Sequence, residues 1–268
     1  MKEAIEALLE RLIPEKLRTR LGAMFESLSC LRFRHKCPFC NSRLETFLPF
    51  GFTFPVLQEK RVVGGGYREN ALCPTCGSLD RERLLYLYLL HKTDIFDKPT
   101  RLLHVAPEAK LADILRTKEN IEYLTADNYA EDVMVKLDIT DIGLPDDSFD
   151  AILCNHVLEH IIDDGKAMSE LYRILRPGGW AILQVPISLT LKNTYEDSSI
   201  KTEKAREEAF GQKDHVRIYG EDYQQRLAQA GFKMNVFKWV AAAKNFGGRR
   251  NIFGLNKEES LYLVRKHR

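Results

Sequence analysis

Residues 144–186 read LPDDSFDAILCNHVLEHIIDDGKAMSELYRILRPGGWAILQVP. The run FDAILCN reads as a strand, DDGKAMSELYRIL as a helix and WAILQVP as a second strand. RPGG at 176–179 is a turn, because proline and paired glycines stop one element and feed the next. A strand, a helix and a strand with short connections make a parallel pair joined by a crossover. The same rhythm runs upstream through RLLHVA, APEAKLADILRTK, IEYLTAD and VMVKLDIT, from residue 101 onward. Downstream, EDYQQRLAQAGF is a helix stopped by Gly231, followed by strands in KMNVFKWVAA and SLYLVRK. A helix and then two adjacent strands predict an antiparallel edge. The expected fold is therefore α/β, Rossmann-like, with a mostly parallel sheet.

Ahead of this half, CPFC at 37–40 and CPTCG at 73–77 form two matched cysteine pairs. Each Cys-x-x-Cys pair makes a knuckle, and Cys37, Cys40, Cys73 and Cys76 together supply four soft ligands of the kind tetrahedral Zn²⁺ takes. With all four positions cysteine, no coordination site is left for a catalytic water, so such a zinc is structural. Two disulfides and a redox dithiol are the competing readings. The interval between the pairs, from ETFLPFGFTFPV through QEKRVV to GGGY, reads as strands and turns, so a small zinc-ribbon-like module is expected. Cys30 and Cys154 read as small buried apolar residues. Ile5, Leu8, Leu9 and Leu12 lie at helical spacing before Pro14, and Leu79–His91 reads as a helix closed off by Pro99. The expected organisation is an N-terminal helical segment over 1–30, a zinc module with its connecting helix over 31–98, and an α/β domain over 99–268.

The composition narrows the class of protein. Of 268 residues, 44% are hydrophobic and 29% charged, the balance of a folded domain rather than a disordered or disulfide-dense chain. The longest apolar run is Leu84–Leu90, far short of the roughly 20 residues a membrane helix needs. The N-terminus lacks the pattern of a signal peptide, so the expected compartment is the cytoplasm. The net charge of +2 does not announce a nucleic-acid binder, although basic residues gather at 231–268.

The block at 144–186 resembles the class I S-adenosylmethionine-dependent methyltransferases of the type 11 family. It carries the SFD strand start, the LEHI strand exit and the RPGG turn. The order CPFC, CPTCG, a Leu/Tyr helix, HVAPE, LEHI and FGQKDHVRIYG is similar to a subgroup with an N-terminal four-Cys zinc module. The resemblance implies seven strands with the last antiparallel, and S-adenosylmethionine bound at the strand ends. It implies that Asp127 accepts ribose hydroxyls, that Asp138 caps the adenine amino group, and that Ile139 packs on the ring. It also sets Asn155 and His156 beside the methionine and methyl group. The family's first loop is usually glycine-rich, whereas here it reads His104-Val105-Ala106-Pro107-Glu108. Ala106 is small enough for close approach, Pro107 suits a helix start, and Glu108 offers a carboxylate to the methionine ammonium.

Methyl transfer from a sulfonium is an in-line displacement in which positioning supplies most of the acceleration. A base is needed only where the acceptor must lose a proton. His156 is the nearest candidate, with Glu159 beside it and His160 in the following turn. Asp214 and His215, in FGQKDHVRIYG, lie on a segment expected to lid the sheet edge. Arg217 and Tyr219 offer groups that could bind an anionic or sugar-like acceptor; the alternative reading is a structural loop whose Asp, His and Arg pair with one another. The leading expectation is a methyltransferase acting on O or N of a small-molecule or carbohydrate-like acceptor, with no membrane partner. The alternatives are an RNA methyltransferase, with zinc module and basic tail on the nucleic acid, and a non-catalytic binding module. The sequence does not specify the oligomeric state.

Overall fold

The computed structural model describes residues 33–267. The helix expected before Pro14 and Cys30 both lie outside that range. β1 (His35–Lys36) and β2 (Arg43–Leu44) pair antiparallel around the first cysteine knuckle. β3 (Leu48–Phe50), α1 (Pro55–Glu59), β4 (Val62–Val63) and β5 (Arg68–Leu72) fill the interval before the second. The all-strand expectation for this interval is corrected at α1. Pro55 stands in its first turn, where the missing N–H has no intrahelical partner to lose, and Val56 and Leu57 bury its inner side.

α2 (Asp80–Lys92) leads into the α/β half. There β6 (Thr100–Val105), α3 (Ala109–Arg116), β7 (Ile121–Asp127) and β8 (Val135–Lys136) form the first wing. β9 (Phe149–Asn155), α4 (Asp164–Ile174) and β10 (Leu175–Gln184) follow. Beyond β10 come β11 (Ile187–Ser188), β12 (Tyr195–Glu196), α5 (Glu203–Phe210) and β13 (Arg217–Ile218). α6 (Tyr223–Gln229), β14 (Lys233–Phe237) and β15 (Leu261–Arg265) close the chain.

The main sheet has seven strands in the order β14-β15-β10-β9-β6-β7-β8. β15 runs antiparallel to both its neighbours, and the strands from β10 to β8 are parallel. The antiparallel edge anticipated from the C-terminal pattern is thus present. Three sequence expectations are adjusted. VMVKLDIT contributes only the two residues of β8. KMNVFKWVAA leaves the sheet at Phe237, because Trp239 turns inward and its Nε1 donates to the Asn256 carbonyl at 2.7 Å; a 3₁₀ segment follows. RPGG lies within β10, where the register shifts between Leu175 and Trp180 and Gly178 takes φ +82°.

Side chains alternate across the sheet, as strand geometry requires. Leu103, Ile152, Cys154 and Leu183 face one core with α4 and α6, while Leu102, Leu153 and Ile182 face another with α2 and α3. The order of strand addition reverses at the β6–β9 pair, with β7 and β8 added on one side and β10 on the other. In open α/β sheets the crevice at such a switch point, beyond the carboxyl ends of the strands, is where ligands bind.

The cysteine segment is stitched into this body. β4 pairs with β11, and the Lys36 N–H donates to the Ile252 carbonyl. Arg83 is fully buried. Its guanidinium stands 3.7 Å from the Phe47 ring centre and donates to the carbonyls of Ala71, Ser78, Phe253 and Gly254 at 2.8–3.0 Å. One side chain therefore ties the second knuckle to the C-terminal loop. An Arg83→Met variant leaves these carbonyls without donors and should lose about 3–5 kcal/mol in urea unfolding. A loss under about 1 kcal/mol would show that the carbonyls find other partners.

Candidate active site

The carboxyl ends of β6 and β9 each run into a non-glycine residue in the left-handed region. Ala106 has φ +48° and His156 has φ +57°. Each such residue costs roughly 1 kcal/mol, and strain of this kind clusters at functional sites. Backbone hydrogen bonds hold both: Ala106 N–H to the Ala126 carbonyl at 2.8 Å and His156 N–H to the Gln184 carbonyl at 2.7 Å. Ala106 thus adopts the conformation that glycine would supply in a glycine-rich loop.

A cleft of about 770 Å³ opens over these strand ends. Of the residues expected at the cofactor, Ala106, Asp127, Asp138, Ile139 and His156 line it. At its rim Asp127 Oδ1 accepts from the backbone N–H groups of Tyr129 and Ala130 at 2.6 and 2.8 Å. Its other oxygen takes no hydrogen bond among the described residues. Asp138 Oδ1 likewise caps Thr140, through its N–H and its hydroxyl at 2.8 Å each.

His104, Glu108 and Asn155 are not on the cleft wall; they form a relay behind it. Glu108 stands at the N-cap of α3, so Pro107 precedes the helix rather than opening it. His104 Nε2 donates to Glu108 Oε2 at 2.7 Å, Asn155 Nδ2 donates to Oε1 at 3.0 Å, and the Tyr123 hydroxyl meets His104 Nδ1 at 2.8 Å. Burial works to raise the Glu108 pKa, but the hydrogen bond and charge of His104 outweigh it and hold the carboxyl below its ordinary range. The relay joins the carboxyl ends of β6 and β9 to Tyr123 within β7. Tyr123 was not singled out in the sequence, since nothing in IEYLTAD marks which face it takes.

A second, smaller cavity of about 250 Å³ adjoins the cleft, and His156 and His160 line both. Its walls include Gly64, Arg81, Glu159, Gln212 and His215. Gly64, in the GGGY segment, lets this wall approach: a Cβ there would lie 3.3 Å from His156 Cε1. His156 Nδ1 lies 3.3 Å from Glu159 Oε1, and its buried Nε2 has no partner among the described residues. Burial pushes the His156 pKa well below the ordinary range and the Glu159 carboxyl up to about 8. Asp214 pairs with His160 at 3.3 Å, not with its neighbour His215. His215 is buried, and its pKa is pushed down to about 3 by burial and by His160.

The reading in which Arg217 and Tyr219 bind an acceptor is overturned, because both are buried in structural bonds. Arg217 donates to Glu196 at 2.8 Å and to the carbonyls of Leu158, Ile161 and Ile162. The Tyr219 hydroxyl donates to Asp164 at 2.8 Å. Their polar groups are spent on holding the two segments together.

The four cysteines converge from both knuckles. Cys37 and Cys76 sulfurs are 3.7 Å apart, and Cys40 and Cys73 sulfurs 3.8 Å. A disulfide requires about 2.05 Å, and all the cysteines among the described residues are free. A tetrahedral ion with metal–sulfur bonds of about 2.3 Å has sulfur–sulfur edges of about 3.8 Å, so this donor set fits zinc in both chemistry and spacing. Gly77 follows the second knuckle with φ +78°. Burial raises the Cys37 thiol to about 12 when no cation compensates it.

The Glu108 relay has a pH signature. A carboxyl held below its ordinary value of 4.5 stabilises the fold above that pH, and the contribution is lost as pH falls through the lower folded value. Glu108→Gln should lower the melting temperature at pH 7 and reduce the loss of stability between pH 5 and 3. Parallel curves for the two proteins would place the acid sensitivity elsewhere.

Residues 98–183 match the sequence family described as "Methyltransferase domain". A demethylmenaquinone methyltransferase of Clavibacter sepedonicus is 39% identical over 49 residues, covering 18% of this chain and 20% of that protein. A probable S-adenosylmethionine-dependent methyltransferase of Mycolicibacterium smegmatis is 36% identical over 52 residues, 19% of this chain and 20% of that protein. The matched stretches thus span about a fifth of these curated relatives. Among solved structures, an S-adenosylmethionine-dependent methyltransferase from Mesorhizobium loti aligns with 69% of this chain and 98% of its own at 15% identity, with a TM-score of 0.47. No helix among the described residues is long and apolar enough to cross a membrane. The family match at residues 98–183 thus coincides with β6 to β9 and most of β10.

Proposed function

We propose that the protein is an S-adenosylmethionine-dependent methyltransferase acting on O or N of a small polar acceptor, and that the four cysteines hold a structural zinc. The observation that carries the reading is the cleft at the β6–β9 switch point, with Ala106 in the left-handed conformation and Asp127, Asp138 and Ile139 on the wall. S-adenosylmethionine, when bound, supplies a sulfonium-activated methyl group for in-line displacement.

On this reading Asp127 offers its free oxygen to the ribose, Asp138 faces the adenine amino group and Ile139 packs against the ring. The Glu108 carboxylate, fixed by His104 and Asn155, sets a negative charge behind Ala106 that favours a cationic ligand. His156 stands where cleft and smaller cavity meet, and its unpartnered Nε2 is positioned to take a proton from the acceptor. The smaller cavity, about 250 Å³, is the proposed acceptor chamber; its size suits a small polar molecule rather than a nucleic-acid duplex. Gly64 and Arg81 come from the cysteine-bearing segment, so that segment forms part of the chamber wall.

The zinc rests on the sulfur geometry. A quartet of thiolates around Zn²⁺ contributes folding energy directly. Cys37→Ser and Cys76→Ser should each lose zinc by elemental analysis and melt at lower temperature. One zinc per chain with unchanged stability in both variants would contradict the four-cysteine site. For the cleft, calorimetric titration of S-adenosylhomocysteine into zinc-loaded protein should show micromolar binding, weakened at least about tenfold in Asp127→Ala for one lost charge-assisted contact. No binding by the parent protein would favour a methyltransferase fold used only as a binding module.

A further inference from the structure

We infer that Glu159, His160 and His215 form a second metal site, for a divalent ion of zinc or cobalt type, in the wall of the smaller cavity. One ligand atom from each lies within 4.8 Å of the other two. The edges of an N/O coordination shell are roughly 3.3 Å, so an ion needs the three atoms drawn inward by no more than about 1.5 Å. Two imidazoles and one carboxylate are a donor set that binds first-row divalent ions with positions left open.

Three observations distinguish this trio from a chance cluster. Glu159 is only 1% exposed, and its Oε2 has no partner among the described residues. Its one ion-pair partner among the described residues is His156, on the other oxygen. A buried carboxylate oxygen without a donor is costly, and a cation on the cavity side satisfies it. Next, His160 Nδ1 is held by Asp214 Oδ2 at 3.3 Å. That contact turns Nε2 into the free ligand atom, the carboxylate–histidine–metal arrangement in which an outer carboxylate orients the ring. Finally, the backbone fixes the third ligand. Val216 N–H donates to the Glu159 carbonyl at 2.9 Å, and Arg217 clamps the Leu158–Ile162 carbonyls. These bonds hold His215 beside His160, ring centres 4.7 Å apart, across 55 residues of sequence. The site is separate from the cysteine quartet in both residues and donor chemistry.

The test uses cobalt(II) and zinc(II) as probes on the full-length protein and does not depend on methyl transfer. Protein carrying zinc is titrated with cobalt(II) and followed by visible absorption and elemental analysis. One further equivalent should bind with a weak d–d band and no thiolate charge-transfer band, because its ligands are nitrogen and oxygen. A thiolate band would instead report cobalt in the cysteine quartet, so the two sites stay distinguishable. His215→Asn and Glu159→Gln should abolish the weak band. Asp214→Ala should weaken the second site roughly 10–100-fold, as expected for an orienting carboxylate. Retained zinc in each variant shows that it is folded. Binding of no metal beyond the cysteine equivalent, or an unchanged weak band in both ligand variants, overturns the proposal.

Discussion

The buried carboxylate of Glu108 is the constraint around which the site is arranged. Glu108 occupies the N-cap position of α3, and its carboxylate accepts from His104 on β6 and from Asn155 at the end of β9, and reaches Tyr123 on β7 through the histidine ring. A charge withdrawn from water persists only when its lone pairs are filled, so the ends of β6 and β9 are fixed relative to each other and to the body of β7. The loop after β6 then needs no glycine run to keep its shape. Ala106 accepts the left-handed conformation because the bonds on either side of it leave no alternative.

The same principle operates in the cysteine-bearing segment. Arg83 is a buried cation whose donors are filled by backbone carbonyls from two distant parts of the chain. With the β4–β11 pairing, it makes the segment part of the wall of the smaller cavity rather than an appendage. That placement brings Gly64 against His156 and Arg81 toward Glu159, so the chemistry of the histidine cluster depends on a segment far from it in sequence.

The α/β half was largely legible. FDAILCN, the helix before RPGG, and WAILQVP carry their burial in plain periodicity, and Gly231 marked a helix end because only a flexible backbone turns there. Residues 106, 127, 138, 139 and 156, expected at strand ends from the parallel sheet and the family resemblance, do line one cleft. What escaped was long-range pairing. Nothing local in DHVRIYG tells that Asp214 turns to His160 instead of His215, or that Arg217 is consumed by carbonyls 55 to 59 residues away. α1 was missed because Pro55 in a Phe-rich stretch looks like a strand breaker until Val56 and Leu57 find a core. The glycine triplet at 64–66 read as a turn, which it makes; that Gly64 also comes close to His156 was not legible.

The central claim, that the glycine-free switch point is a cofactor cleft, is most directly tested by hydrogen–deuterium exchange on zinc-loaded protein with and without saturating S-adenosylhomocysteine. The account predicts slowed exchange at residues 104–108, 127–130, 137–140 and 156–163, with no change in a separate surface groove between α4 and α6, lined by Asp164, Ser169, Asp222, Arg226 and Ala230. Identical exchange in both states, or protection confined to that groove, would contradict it.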